Sequence, residues 1–381
     1  MIWILLIAFA CAAAAMFLVV YYEDHHAHWS ADHDLSGPQK MHVKVVPRVG
    51  GVGILAGICG GAAVAAWSHA GQRWELLLLV ACMMPAFGSG IWEDFTKAIS
   101  PRRRMVALAL SGLLGVLLLG ARFTHTGWQF FDDLLASHGL LWLGSVGAVF
   151  AVTGISNSVN IIDGMNGLAS MCTMMMNAAL AYIAWRVGDT LVCSLALATL
   201  GATFGFFLWN YPRGLVFLGD GGAYLLGFIV AELGILLTTR HPQVSMLAPL
   251  LLVAYPVLET LFTMYRRRFI QRRSMTQPDG SHLHTLIYRR LKQGPVDSSG
   301  VRRGSTRANS GTSPYLWLLN AVAVIPATIW WGNTSALALS LAVFVLAYLD
   351  VYWRIVRFRS PRWMTWRRDL PAAHAEPLKK A

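Results

Sequence analysis

The chain has 381 residues, of which 56% are hydrophobic and only 13% charged, and its mean hydropathy is +0.51. That balance excludes the two or three soluble domains that length alone would suggest. The formal net charge of +12 calls for no nucleic acid, because basic residues that border membrane spans face anionic lipid headgroups.

Apolar runs of roughly 17–22 residues recur along the chain, each long enough to cross a bilayer as a helix. Lipid offers backbone groups no partner, so such runs pair internally and are helical. They fall near 1–22, 50–68, 74–92, 105–120, 140–156, 168–186, 190–208, 215–237, 246–265, 314–331 and 334–353. The expected fold is an all-α, polytopic integral membrane protein with about 11 transmembrane helices. Residues 1–353 then form a single membrane domain that includes a long loop at 266–313, and 354–381 form a basic tail. All but four of the 31 lysines and arginines fall in alternate inter-span segments, the exceptions being Arg73, Arg122, Arg186 and Arg240. The positive-inside rule then predicts an N-terminus outside and a C-terminus in the cytoplasm. No positive charge precedes the first span and several follow it, which argues against a cleavable signal. The five cysteines lie in apolar spans without paired spacing and read as small buried side chains.

After the first span, His25, His26, His28 and His33 stand among four acids, a set suited to a transition metal, although a solvated interfacial loop is the plainer reading. Lys40, His42 and Arg48 follow, the last just before Gly50-Gly51 at a helix start. Basic groups and exposed N–H groups there suit phosphate. The third span ends in adjacent carboxylates, Glu93 and Asp94, followed by Lys97 and Arg102–Arg104.

Asn157, Asn160, Asp163 and Asn166 recur every third residue in S-N-S-V-N-I-I-D-G-M-N-G-L, between a helix predicted near 140–155 and another near 169–185. On a helix they form one polar ridge, rich in the hard oxygen donors that Mg²⁺ prefers. Asp220, between glycines in F-L-G-D-G-G, opens the eighth span and needs a partner, which a metal shared with Asn160 would supply. Glu259 lies deeper and is expected to pair with an arginine or a backbone group. In the long loop His282 and His284 flank Leu283 and would point the same way if locally extended. Residues 294–313 read as a flexible Gly/Ser/Thr-rich stretch. With the charge-derived orientation, all these clusters reach the inner membrane boundary.

At this point the sequence resembles the polyprenyl-phosphate N-acetylhexosamine-1-phosphate transferases (glycosyltransferase family 4), most closely the bacterial undecaprenyl-phosphate GlcNAc-1-phosphate transferase branch. The likeness runs from about Asp34 to Arg290. Lys40-Met41-His42 with Pro47-Arg48-Val49-Gly50-Gly51 resembles the first cytoplasmic motif, and Glu93-Asp94, followed by Ser100-Pro101-Arg102, the paired-aspartate motif. Asn157 to Gly164 resembles the central motif, Phe217 to Asp220 the metal motif and His282-Leu283-His284 the histidine loop. Glu93 stands where relatives carry Asp, Asn166 where many carry Asp, Thr285 where many carry a third His, and Gly221-Gly222-Ala223 for Thr-Gly-Ser.

The resemblance implies transfer of N-acetylhexosamine 1-phosphate from a UDP-N-acetylhexosamine to a polyprenyl phosphate lipid, releasing UMP. It implies an inner-membrane enzyme whose active site faces the cytoplasm, at the first membrane step of a glycan such as O-antigen. Glu93, Asp94 and Asp163 are then the catalytic candidates. Lys40, His42, Arg48, Asn157, Asn166, His282 and His284 bind substrate, and Asn160 and Asp220 hold Mg²⁺ or Mn²⁺. A homodimer is compatible with it. Two other classes compete: a secondary transporter, which would place its acids near the bilayer midplane in repeated halves, and a metal transporter or zinc enzyme resting on the His-rich 23–34 segment with His282 and His284.

Overall fold

The computed structural model describes residues 1–23, 25, 46–125, 132–133, 141–272, 280–291 and 306–357. Lys40 and His42, His26, His28 and His33, and the tail beyond 357 therefore lie outside the described residues. The helices in chain order are α1 (Ile2–Tyr21), α2 (Gly50–Ser68), α3 (Arg73–Thr96), α4 (Pro101–Leu114), α5 (Leu141–Ile162), α6 (Leu168–Val187) and α7 (Thr190–Asn210). They continue with α8 (Gly219–Arg240), α9 (Leu247–Leu252), α10 (Ala254–Tyr265), α11 (Leu283–Leu291), α12 (Thr306–Ile329) and α13 (Thr334–Val356).

Among the described residues nine helices are long and apolar enough to cross a membrane, and the chain is an all-α polytopic membrane protein. The other two expected spans take interrupted forms. The 105–120 run is α4 continued by a π-helical turn, Gly115–Leu119. The 246–265 run is split at Val253 between α9 and α10. Pro256 explains the split, since it has no N–H to offer the Leu252 carbonyl one turn back. Two other boundaries move. Helix α5 runs on through Asn157 and Asn160 to Ile162, and α12 begins at Thr306, so part of the stretch read as flexible is helical.

Helix α8 is the axis of the bundle. Every residue from Gly219 to Thr238 is buried, against α2, α3, α5, α6 and α7. In lipid, apolar surface gives helices little reason to associate, and small residues that let backbones approach supply the close packing. At the N-terminal end of α8, Gly51 and Gly90 meet Gly222 and Gly221, where an added Cβ would collide with backbone atoms. The ends of α2, α3 and α8 are thereby locked together. At helix ends, exposed Trp67, Trp74, Trp92, Trp185 and Trp353 suit the headgroup zone.

Two glycines of α3 give a paired test. Gly90→Ala forces a methyl into the α8 backbone and should cost about 1–3 kcal/mol, read as a lower thermal midpoint in detergent. Gly88 faces open space, so Gly88→Ala should leave the midpoint unchanged or raise it. Equal effects of the two would refute the close packing.

Candidate active site

The helix ends on one side of the bundle enclose a polar cleft of about 300 Å³. Its walls carry Arg48, Asn160, Asp163, Asn166, Asp220, His282 and His284, together with Asn210, Thr285 and Asn309. It lies at helix termini, unlike the midplane site expected of a transporter.

Backbone pairing assembles one wall. The Phe217 N–H donates to the Pro47 carbonyl at 2.8 Å, and the Gly50 and Gly51 N–H groups donate to Phe217 and Leu218 at 3.0 Å each. P-R-V-G-G is thus laid along F-L-G-D, with Arg48 Nη2 3.2 Å from Asp220 Oδ1. Asp220 Oδ1 also accepts from Asn160 Nδ2 at 3.0 Å, and Oδ2 meets Arg104 Nη1 at 3.2 Å. A carboxylate beside apolar spans is costly unless paired and hydrogen-bonded. Two guanidiniums and an amide meet that requirement.

The adjacent carboxylates part company, because successive helical residues point roughly 100° apart. Asp94 turns inward and is 5% exposed. Its two oxygens accept the Asp220 and Gly221 N–H groups at 2.8 and 2.9 Å, so it caps the buried N-terminus of α8. Arg48 Nε lies 3.6 Å from it. Gly219, at φ +74°, makes the turn into the cap, and a Cβ there would press on Asp94 and on the Arg48 carbonyl. Glu93 turns outward, where Oε2 accepts the Ile99 N–H at 2.8 Å and closes the turn between α3 and α4. Neither carboxylate of the expected catalytic pair lines the cleft: in this structure Asp94 caps a helix and Glu93 braces a turn.

The ridge spaced by threes holds for part of its length. Asn160 and Asp163 line the cleft, whereas Asn157, one turn earlier on α5, is half-buried outside its walls. Asn166 lies in the following turn instead of on a helix, and its bonds are structural. Its N–H donates to Asn309 Oδ1 at 2.8 Å, its amide donates to the Pro212 carbonyl and Ser310 Oγ at 3.3 Å, and its carbonyl accepts from Ser313 Oγ at 2.6 Å. Asp163 lies just past the end of α5. Desolvation in the cleft pushes its carboxyl up, to about 7, with Arg48 opposing that rise and Asp220 adding to it.

His282 and His284 do point the same way, although not through an extended backbone. His282 precedes α11 and His284 is its second residue, yet the rings stack at 5.4 Å and 6°. The His284 ring fills the space where a Gly164 side chain would stand. Glu259 finds the expected backbone partner, the Leu283 N–H at 3.1 Å, but its side-chain partner is a histidine and not an arginine: Oε1 lies 3.1 Å from His282 Nδ1.

Several residues at the cleft carried no usable sequence signal. Arg104 looked like one member of a basic run. Asn210, in what read as a span end, accepts the Gly167 N–H at 2.6 Å and donates to the Val216 carbonyl at 2.8 Å, stapling two cleft loops. Asn309, Ser310 and Ser313 sat within the supposed linker. Their one-turn spacing was the available hint.

Asp220, Asp163 and Asn160 are hard oxygen donors of the kind Mg²⁺ takes, and a half-turn of the Asn160 amide would present its oxygen. Among the described residues no three His, Cys, Asp or Glu side chains gather about one point. The two carboxylates would leave most of an ion's shell to water and phosphate, the usual arrangement for Mg²⁺ at a phosphate-handling site. The donor set fits.

Residues 76–238 match the family model described as glycosyl transferase family 4. A probable undecaprenyl-phosphate N-acetylglucosaminyl 1-phosphate transferase of Bacillus subtilis (strain 168) is 24% identical over 324 residues, covering 85% of this chain and 83% of that protein. The undecaprenyl-phosphate alpha-N-acetylglucosaminyl 1-phosphate transferase of Escherichia coli O157:H7 is 29% identical, covering 66% and 67%. A phospho-N-acetylmuramoyl-pentapeptide-transferase of Pelagibacter ubique (strain HTCC1062) is 27% identical, covering 54% and 63%. The family match spans α3 to α8 and so contains Asp94, Asn160, Asp163 and Asp220, and over that stretch the chain is similar to glycosyl transferase family 4.

Proposed function

We propose that the chain transfers N-acetylhexosamine 1-phosphate, with GlcNAc or a related amino sugar, from a UDP-sugar to undecaprenyl phosphate and releases UMP. The product would begin a cell-surface glycan such as O-antigen. The observation that carries this reading is the cleft itself, where Asp220, Asp163 and Asn160 face Arg48 and a stacked histidine pair. The carboxylates and the Asn160 amide offer oxygen donors for a divalent cation, while Arg48, paired with Asp220 on the same wall, and the two imidazoles offer partners for a diphosphate.

Phosphoryl transfer asks mainly for positioning and charge neutralisation. Bound Mg²⁺ would supply neutralisation of the diphosphate, held by Asp220 with Asn160 and Asp163. A phosphate monoester has its second pKa near about 6, so the attacking lipid phosphate is mostly dianionic at neutral pH and needs little help from a base. Arg48 then orients phosphate oxygens, His282 and His284 meet the donor nucleotide, and Asp94 acts by fixing where α8 presents Asp220. The relatives named for undecaprenyl-phosphate transfer support the acceptor assignment.

Purified protein given UDP-GlcNAc, undecaprenyl phosphate and Mg²⁺ should release UMP. Asp220→Asn should stop release while the protein still inserts, and near-normal turnover would sink the metal assignment. The two neighbouring carboxylates should behave differently. Glu93→Gln keeps an acceptor for the Ile99 N–H and should stay within a few-fold of wild type. Asp94→Asn places an amide donor against an N–H donor and should lower both turnover and the thermal midpoint, by about 1–2 kcal/mol for a lost cap. Equal effects would contradict the division of roles.

The distribution of lysine and arginine supports a cleft on the cytoplasmic face of the cell's inner membrane, with the N-terminus outside and about 11 spans. Single cysteines at Ser100, Arg213 and Ser281 should need a permeant reagent, while those at Gln72, His125 and Gln243 should react from outside. Labelling of Ser281 and His125 from the same side would overturn it.

A further inference from the structure

Glu259 sits in α10, is 1% exposed, and uses both oxygens. Oε1 takes the Leu283 N–H and faces His282 Nδ1, each at 3.1 Å, and Oε2 accepts the Tyr348 hydroxyl at 2.7 Å. A carboxylate only accepts, so His282 carries its proton on Nδ1, which leaves Nε2 as the nitrogen able to gain a partner. His282 stacks on His284 in the cleft. A continuous path therefore runs from α13 through Tyr348 and Glu259 to the histidine pair.

Two more contacts come from the same face of α13. Arg266 donates to the Tyr352 hydroxyl, and Arg290 Nη2 donates to the Ile355 carbonyl at 2.7 Å. Residues 348, 352 and 355 are spaced as one helical stripe. Arg266 also donates to the Ser281 carbonyl at 2.5 Å, immediately before His282. The stripe thus grips α10, the turn after it, and α11, the elements on either side of the histidines.

We propose that Tyr348 and Glu259 are positioning residues for the donor nucleotide: α13, which takes no part in the cleft wall, sets the orientation of His282 and His284. This rests on the transferase reading above, in which the pair meets the UDP moiety. Tyr348→Phe deletes a single hydroxyl and keeps the ring that packs against Phe262. Glu259→Gln keeps the shape and replaces one acceptor oxygen with a donor.

The test uses the full chain in lipid nanodiscs, with UDP binding followed by calorimetry and turnover with UDP-GlcNAc and undecaprenyl phosphate. Tyr348→Phe should raise the UDP Kd and the UDP-GlcNAc KM by about tenfold, as expected for one lost bond to a charged acceptor, and Glu259→Gln by more. The KM for undecaprenyl phosphate should not move, and the thermal midpoint of Tyr348→Phe should fall only by the modest amount one lost hydrogen bond accounts for. The ¹⁵N resonances of His282 should shift away from the Nδ1-protonated pattern in Glu259→Gln. Unchanged UDP affinity in both variants, with an active wild type, overturns the positioning role alone. Equal rises in both KM values with a lowered midpoint overturn it too, since that marks a general structural contribution. A wild type that neither binds UDP nor releases UMP overturns the transferase reading and this inference together.

Discussion

The constraint on which the rest of the structure depends is the N-terminus of α8. Unpaired N–H groups at a helix start need partners, and this start is enclosed by α2 and α3 with no room for side chains between the backbones. Asp94 meets the need with two bonds at once, and Gly219 allows the turn that delivers them. The same contact fixes the register of three helices and the direction in which Asp220 leaves the bundle. Backbone pairing of Pro47–Gly51 with Phe217–Leu218 then brings Arg48 to the same point. The site is therefore a product of helix-end chemistry, and it cannot be moved without disturbing the packing axis.

The charge arrangement follows the same logic. Beside apolar spans Asp220 is met by Arg48 and Arg104, and Asn160 completes the set. Arg104 thus has a definite place at the site although it does not line the cleft. On the opposite face of the bundle, Asp189 caps α7 and meets His241 at 3.1 Å, while Arg240 reaches Glu75 at 2.9 Å. Those charges bind α3, α7 and α8 to one another at the end away from the cleft.

Much of this was legible in the chain. The helices announce themselves by long apolar runs, because lipid leaves the backbone no other structure. Asn160, Asp163, Asp220 and the two histidines were visible as polar groups at the ends of such runs, and the structure gathers them. What sequence spacing could not convey was the direction of a side chain at a helix end. Glu93 and Asp94 look equivalent as neighbours, yet one faces the core and the other a turn. Asn166 continues the spacing of the ridge after the helix has ended, so its periodicity points to a face that no longer exists. Asn309 and Ser310 were hidden because a Ser/Thr/Asn-rich stretch reads as linker, although here the hydroxyls and amides satisfy the loop around Asn166. Glu259 was read correctly as a buried structural carboxylate, while its histidine partner lay 23 residues away across a loop.

The central claim is that the cleft moves a phosphate together with its sugar, the attack falling on the β-phosphorus of the donor. The most direct test is the fate of that atom. UDP-GlcNAc carrying ³²P in the β-phosphate, incubated with undecaprenyl phosphate, Mg²⁺ and the purified chain, should pass its label into an organic-extractable lipid diphosphate while the nucleotide leaves as unlabelled UMP. Label retained in UDP, with the sugar alone transferred to the lipid, would contradict the account.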